Sequence, residues 1–469
     1  MNKESPFDRA QFHARAFLEK LPERPVCATA SLEALRERLV EPLGEEGLSE
    51  AQVIDDLVAK VEDGLLGSAG GRFFGWVIGG TLPAAAAADW LTTVWDQNAA
   101  ASACSPATAV VEEVCGAWLK QLLNIPSGAS FGFATGCQGA HTTALAAARH
   151  ALSKACGWNV ERCGLSGGPQ LRLVTSESRH ESLMRSVRLL GLGTDAVTLV
   201  ECESTGAISL QGLEGELARN PTQPTIVCLQ AGDLNTGAFD PFAAAIPLAK
   251  SFNAWVHIDG AIGLWVAASP RLDTLTQGAE LADSWATDGH KWLNLPFDSG
   301  FVFVTDPAAH SAALTQPTSY AIPLDGLRNP MDWNLEWSRR ARVYPAYAAL
   351  RSLGRKGVSD LIERSCDLAK TLVAEIGKLE GVEVLAEPII NQGLVRFICP
   401  EGNHDGRTDR VIEAIQSNGR AWFGGTTWRG RRAMRISVCN WRTTGEDVNK
   451  AVAAVRAALC QLGGTAAFR

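Results

Sequence analysis

The first sixty-five residues alternate apolar and polar positions at helical spacing. Ser5 followed by Pro6, Ser31 before LEALRERL and Ser49 before AQVIDDLVAKV each supply a capping hydroxyl ahead of an amphipathic run, which predicts three helices. From Phe131 the pattern changes. Short apolar runs (FGFAT, LRLVT, AVTLVE, TIVCLQA, AWVHID, SWATD, FVFV) are bounded by turn residues and separated by helical stretches at 141–151, 181–190 and 240–252. Continuous apolar strands alternating with helices predict an α/β fold, a mainly parallel sheet covered on both faces. Beyond residue 346, long helices (357–379 and 444–459) and well-spaced strands (VEVLA, LVRFI, AMRISV) predict a smaller α+β domain. The expected organisation is a helical arm over 1–99, a large domain over 100–345 and a small domain over 346–469. Residues 312–335, rich in Pro, Thr and Asn, are expected to form a long loop of the kind that serves as a lid.

Composition narrows the function. With 469 residues, 46% of them hydrophobic, the chain can bury more than one core, so two or three domains are expected. Lys+Arg 43 against Asp+Glu 51 gives a net charge of -8 without long blocks of one sign, which argues against nucleic acid or a membrane surface as the main partner. Twelve scattered cysteines with no CxxC pair suit reduced thiols in the cytoplasm and offer zinc no ligand spacing. The start, MNKESPFDRAQFHAR, has neither the apolar core of a secretory signal nor that of an anchor, and the Ala84–Ala88 run is far short of a bilayer span. A soluble enzyme acting on a small molecule is the expectation. Only three tyrosines are present, so few phenols are available for acid or base work.

Two segments carry the chemistry. In HIDGAIG (257–263), Asp259 ends a strand-like run, which sets its carboxylate at the C-terminal edge of the sheet, where open α/β folds bind ligands. In SWATDGHKWLN (284–294), Lys291 follows the next run, flanked by His290 and Trp292. An amine there can act as a nucleophile. A lysine to form an imine and an acid to keep a pyridine nitrogen protonated are the requirements of a pyridoxal 5'-phosphate (PLP) site. With RFFGWVIGG (72–80), the ADWL helix, SPATAVVEE (105–113) and RRAMRISV (431–438), these motifs resemble the group II PLP-dependent amino-acid decarboxylases, the family of aromatic-L-amino-acid and glutamate decarboxylases.

The resemblance implies a PLP-dependent transferase fold of type I, a homodimer with active sites at the interface, and decarboxylation of an L-amino acid to a primary amine through a quinonoid intermediate. It makes Lys291 the Schiff-base lysine, Asp259 the partner of the pyridine nitrogen, Ala261 the small residue on one ring face and His180, in SRHES, the histidine on the other. It gives the phosphate to the amides of Gly136, Cys137 and Gln138 in TGCQGAH, with His290 beside it. TGCQGAH departs from the usual Ser-Gly-Gly-Ser/Thr-Glu-Ala-Asn form. His180 also suits the first turn of a helix.

Other positions depart further. Alignment on RRAR (339–342) sets Pro330 where many relatives carry the loop tyrosine that protonates Cα, which leaves Tyr320 or His180 for that task. The usual Gly-Thr-Thr segment reads Gly232-Asp233-Leu234-Asn235-Thr236, so Asn235 or Thr236 is expected at the cofactor's 3-oxygen. Trp76, with Phe73, Phe74, Trp422 and Trp428, offers apolar surroundings to a substrate. Arg435 resembles the carboxylate-binding arginine of class V aminotransferases and equally suits a structural ion pair. GLSGG (164–168) matches a nucleophile elbow but lies in a Gly-Pro loop without a preceding strand, so a turn is expected. Transamination, lyase chemistry, oxidative decarboxylation to an aldehyde and a catalytically silent PLP-binding protein are the rival readings.

Overall fold

A computed structural model describes residues 5–316 and 328–463, which group into two compact units. One unit comprises Thr81–Asp367 and Pro388–Gly393. Its seven strands are those the apolar runs predict: β1 (Ser130–Ala134), β2 (Arg172–Ser176), β3 (Val197–Val200), β4 (Thr225–Gln230), β5 (Trp255–Asp259), β6 (Ser284–Asp288) and β7 (Gly300–Val304). They form one sheet in the order β1-β7-β6-β5-β4-β2-β3. Strands β2 to β6 pair in parallel, and β7 runs antiparallel to both β6 and β1. Each of β2, β4, β5, β6 and β7 is buried along its whole length, which is why these strands read as unbroken apolar runs instead of alternating ones. Strand β3 lies at the edge of the sheet and is only partly covered. Burial of a side chain such as Ile258 or Val256 contributes about 1.5–3 kcal/mol.

The helices between strands begin where capping chemistry allows. His180 caps Glu181–Leu189, Ser209 caps Leu210–Arg219 and Asp306 caps Pro307–Leu314, each accepting from a first-turn amide. The segment Val343–Gly377 starts earlier than its periodicity suggests and breaks at Gly354, whose φ of +61° has no place inside a helix. GLSGG forms a turn, with Gly164 and Gly167 both at positive φ. Of the expected loop 312–335, the first residues complete the helix Pro307–Leu314 and Pro330–Trp333 makes a 3-10 turn. Tyr320 lies outside the described residues.

The other unit comprises Met1–Gly80, Leu368–Glu387 and Leu394–Arg469. The three N-terminal helices form at Pro6–Lys20, Leu32–Leu39 and Glu50–Val61, capped by Ser5, Ser31 and Ser49 as the sequence predicts. A second sheet runs β10-β11-β9-β8, with β8 at Val382–Ala386, β9 at Gln392–Phe397, β10 at Gly424–Trp428 and β11 at Arg431–Ser437. Its core joins Val395, Phe397, Met434 and Ile436 to Val411, Ile412 and Ile415 of the helix His404–Asn418 and to Val448, Val452 and Val455 of Gly445–Gln461. Phe74, from the N-terminal arm, belongs to the same core and stacks on Phe423 at 5.1 Å. No disulfide joins any of the twelve cysteines, and no helix among the described residues is long and apolar enough to cross a membrane.

Candidate active site

Parallel pairing aligns the C-terminal ends of neighbouring strands, and the candidate residues collect there. Asp259, the last residue of β5, pairs with Gln230 of β4 on one side and Ala286 of β6 on the other. Two residues further along β6 comes Asp288, and a tight turn then carries Lys291. That turn is tied down by the amides of Gly289 and His290, which both donate to the Ser299 carbonyl, and by Leu295 N donating to the Gly289 carbonyl. Gly300, opening β7, lies against Gly136. A Cβ at residue 300 would sit 2.5 Å from the Gly136 Cα, so only glycine fits there. This close approach brings the start of the helix Cys137–Ala155 against the Lys291 turn.

Asp288 binds those two segments together. Its Oδ1 accepts from the Cys137 amide at 2.5 Å and its Oδ2 lies 3.0 Å from Lys291 Nζ. His290 Nδ1 accepts from Ser299 N at 3.1 Å, so its proton sits on Nε2, 3.5 Å from Asp288 Oδ1. Burial lowers the His290 pKa and keeps the ring neutral. For Lys291, burial disfavours the ammonium, but the negative charge of Asp288, with that of Asp259 adding to it, outweighs burial and raises the pKa above its ordinary 10.5.

Asp259 is 6% exposed. Burial works against its charge, yet His141 at 3.4 Å from Oδ2, the Ala261 amide at 3.1 Å from Oδ1 and the field of Lys291 hold its carboxyl well below the usual range. The Cys137 sulfur lies 3.3 Å from His141 Nε2 and 3.8 Å from Asp259 Oδ1, and burial first, then the neighbouring carboxylates, push its thiol pKa well up. Asp259 and Lys291 thus share one electrostatic neighbourhood, as their sequence motifs require.

The remaining candidates divide. Gly136 caps the helix Cys137–Ala155, but the Cys137 amide already serves Asp288. Among the described residues, the amides of Gln138 and Gly139 in the same first turn have no acceptor, so the donors this helix start leaves open are that of Gln138, which the sequence reading names, and that of its neighbour Gly139. His180 stands past the C-terminal end of β2 as an exposed helix cap, its Nδ1 accepting from Ser182 N at 3.2 Å. The Thr236 hydroxyl donates to Asp233 Oδ1 and accepts from Ala238 N, and Asn235 N also donates to Asp233, so a turn after β4 absorbs these groups.

In the other unit, Arg435 is a buried residue of β11. Its neighbours Arg431 and Arg432 pair with Glu383 and Asp409. Trp76 is 54% exposed, sits at positive φ and packs on Trp422 at 4.3 Å. Sequence reasoning missed Asp288, His141 and His257. Asp288 ends its strand as Asp259 does, inside the same motif. The two histidines come together only through the fold.

Residues 33–399 match the profile of the pyridoxal-dependent decarboxylase conserved domain. The L-2,4-diaminobutyrate decarboxylase of Rhizobium meliloti (strain 1021) is 28% identical over 370 residues, covering 77% of this chain and 71% of that protein. The aromatic-L-amino-acid decarboxylase of Bacillus atrophaeus is 24% identical over 452 residues, 94% of this chain and 92% of that protein. Among solved structures, the Oryza sativa TDC with PLP and tryptamine superimposes with a TM-score of 0.91 at 20% identity, covering 97% of both chains.

Proposed function

The chain belongs to the pyridoxal-dependent decarboxylase family, and from that membership we propose how its residues divide the work of a PLP-dependent amino-acid decarboxylase acting on an L-α-amino acid. The observation that carries the assignment is that Asp259, at the end of β5, and Lys291, in the turn that follows the adjacent strand β6, each act on the other's charge. The groups fit the cofactor. A helix start has two amides without acceptors, a lysine amine lies beside them, and a buried carboxylate is held as an anion.

When bound, PLP supplies an electron sink for the pair left on Cα as carbon dioxide departs. Lys291 would hold the cofactor's aldehyde carbon once its amine gives up a proton, with Asp288 Oδ2 steadying the charged form until then. Asp259 would keep a proton on the pyridine nitrogen, Ala261 would leave room beside the ring, and the amides of Gln138 and Gly139 with His290 would receive the phosphate. His180, at the same sheet edge, would face the substrate carboxylate and, with Tyr320, is a candidate to return a proton to Cα. Asn235 remains the candidate for the 3-oxygen, because the Thr236 hydroxyl is held by Asp233. Trp76 and Arg435 are the substrate-side candidates.

The chain is further proposed to act as a homodimer in the cytoplasm. Exposed Phe7, Phe12, Leu32, Val40 and Leu43 along the N-terminal segment support the first statement, and twelve cysteines without a disulfide support the second. Light scattering on the purified protein tests the dimer. The decisive test of function is incubation of the PLP-loaded protein with the common L-amino acids, following carbon dioxide and product mass. Carbon dioxide with stoichiometric amine supports the reading, whereas consumption of a keto-acid acceptor, or an aldehyde as the main product, overturns it.

A further inference from the structure

One face of β5 presents Trp255, His257 and Asp259, because alternate residues of a strand point the same way. Behind Asp259 these side chains join a chain of hydrogen bonds running away from the cofactor pocket. His141 Nε2 lies 3.4 Å from Asp259 Oδ2, and His141 Nδ1 lies 2.9 Å from His257 Nε2. His257 Nδ1 lies 2.9 Å from the Ser284 hydroxyl, which also accepts from Trp255 Nε1 at 2.9 Å. Both histidines and Ser284 are fully buried. An indole N–H only donates and a carboxylate only accepts, so the chain has a fixed donor end and a fixed acceptor end.

We propose that His141, His257 and Ser284 are positioning residues, a buried hydrogen-bond chain that holds Asp259 ionised and fixes its Oδ2, and thereby sets the proton on the pyridine nitrogen of bound PLP. The proposal rests on the reading of Asp259 as the cofactor's acid. Its physical basis is the cost of a buried charge. A carboxylate in this setting reverts to the neutral acid unless a donor is built in, and the neutral acid cannot hold a pyridinium proton. The groups facing Asp259 are His141 and the protonated Cys137 thiol from the helix Cys137–Ala155, the Ala261 amide, and Lys291 in the turn after β6. His141 is the one whose donating direction is controlled from behind. Burial above all brings the His257 pKa down to about 3, so that ring is neutral at working pH; with the Ser284 hydroxyl donating to its Nδ1, it donates from Nε2 to His141 Nδ1 and leaves the His141 Nε2 proton for Asp259. In the family form of this loop an asparagine stands where this chain has His141.

The test uses the full chain labelled with nitrogen-15 in histidine, first without PLP. Asp259→Asn is expected to shift the ring signals of His257, which no direct hydrogen bond joins to residue 259. Unmoved His257 signals overturn the proposal. The loaded protein is then titrated by visible absorbance. His257→Phe and Ser284→Ala are expected to displace the pH midpoint of the coenzyme band by about one unit and, for His257→Phe, to weaken PLP about tenfold, with His257→Gln recovering most of the loss. Packing alone would leave the midpoint in place. Folded variants with the native midpoint and PLP affinity therefore overturn the chain, provided Asp259→Asn changes both. If Asp259→Asn itself changes neither, the assignment of Asp259 falls first and the proposal falls with it.

Discussion

Asp288 Oδ2 and Lys291 Nζ lie 3.0 Å apart, three residues from one another in sequence, while the other oxygen of the same carboxylate accepts the Cys137 amide. One acid thus locks the turn that carries Lys291 to the helix start beside it.

Replacing Lys291 by Ala removes the only amine assigned to the cofactor's aldehyde. Turnover is expected to fall below detection and the visible coenzyme band to be missing, with the circular dichroism of the native fold retained. Amine production that survives this change refutes the assignment.

The raised Lys291 pKa gives a pH dependence with a definite sign. The neutral amine is needed to capture PLP, so the initial rate of reconstitution is expected to rise about tenfold per pH unit between neutrality and the amine's pKa. Asp288→Asn removes the main stabiliser of the ammonium and is expected to accelerate reconstitution at neutral pH. Because the folded-state pKa is the higher one, the ion pair's contribution to stability is fully present below the unfolded lysine value and is lost as pH climbs through the folded value. A flat reconstitution profile in stopped-flow absorbance speaks against this account.

Asp259→Asn preserves size but cannot stay anionic opposite a pyridinium. The expected result is a fall in kcat of about a hundredfold or more, with KM less affected, since the lost interaction matters most as charge develops. Steady-state kinetics showing a change confined to KM would contradict it.

Arg339 Nη2 and Glu112 Oε1 pair at 2.6 Å with both side chains essentially sealed from water. Arg339→Leu strands a buried carboxylate and is expected to cost about 3–5 kcal/mol in urea unfolding. The double change Arg339→Leu with Glu112→Leu is expected to recover part of that loss. A single-variant cost below about 1 kcal/mol would show the pair to be incidental.

The large sheet was legible because buried parallel strands leave an unmistakable mark. All seven apolar runs from FGFAT to FVFV became strands. Strand β10, GGTTW, left no such mark, since two glycines and two threonines make neither an apolar run nor a clean alternation, and it is held by pairing with β11. The helix His404–Asn418 was hidden by its charged first half, with its buried stripe limited to Thr408, Val411, Ile412 and Ile415. At the site, Asp259 and Lys291 stood out because local motifs surround them. The pairing of His141 with His257 spans 116 positions and crosses from helix to strand, so no local pattern could announce it. The same holds for the Cys137 amide, whose capture by Asp288 depends on the approach of Gly136 to Gly300.

Cys137 brings a liability and its remedy together. A sulfur beside Asp259 and His141 would be open to attack by peroxide or electrophilic metabolites as a thiolate, but the thiolate is the reactive species, and here the surroundings suppress it. The enzyme can therefore keep a polarizable atom against its acid through episodes of oxidative stress that would disable an ionised cysteine in the same place.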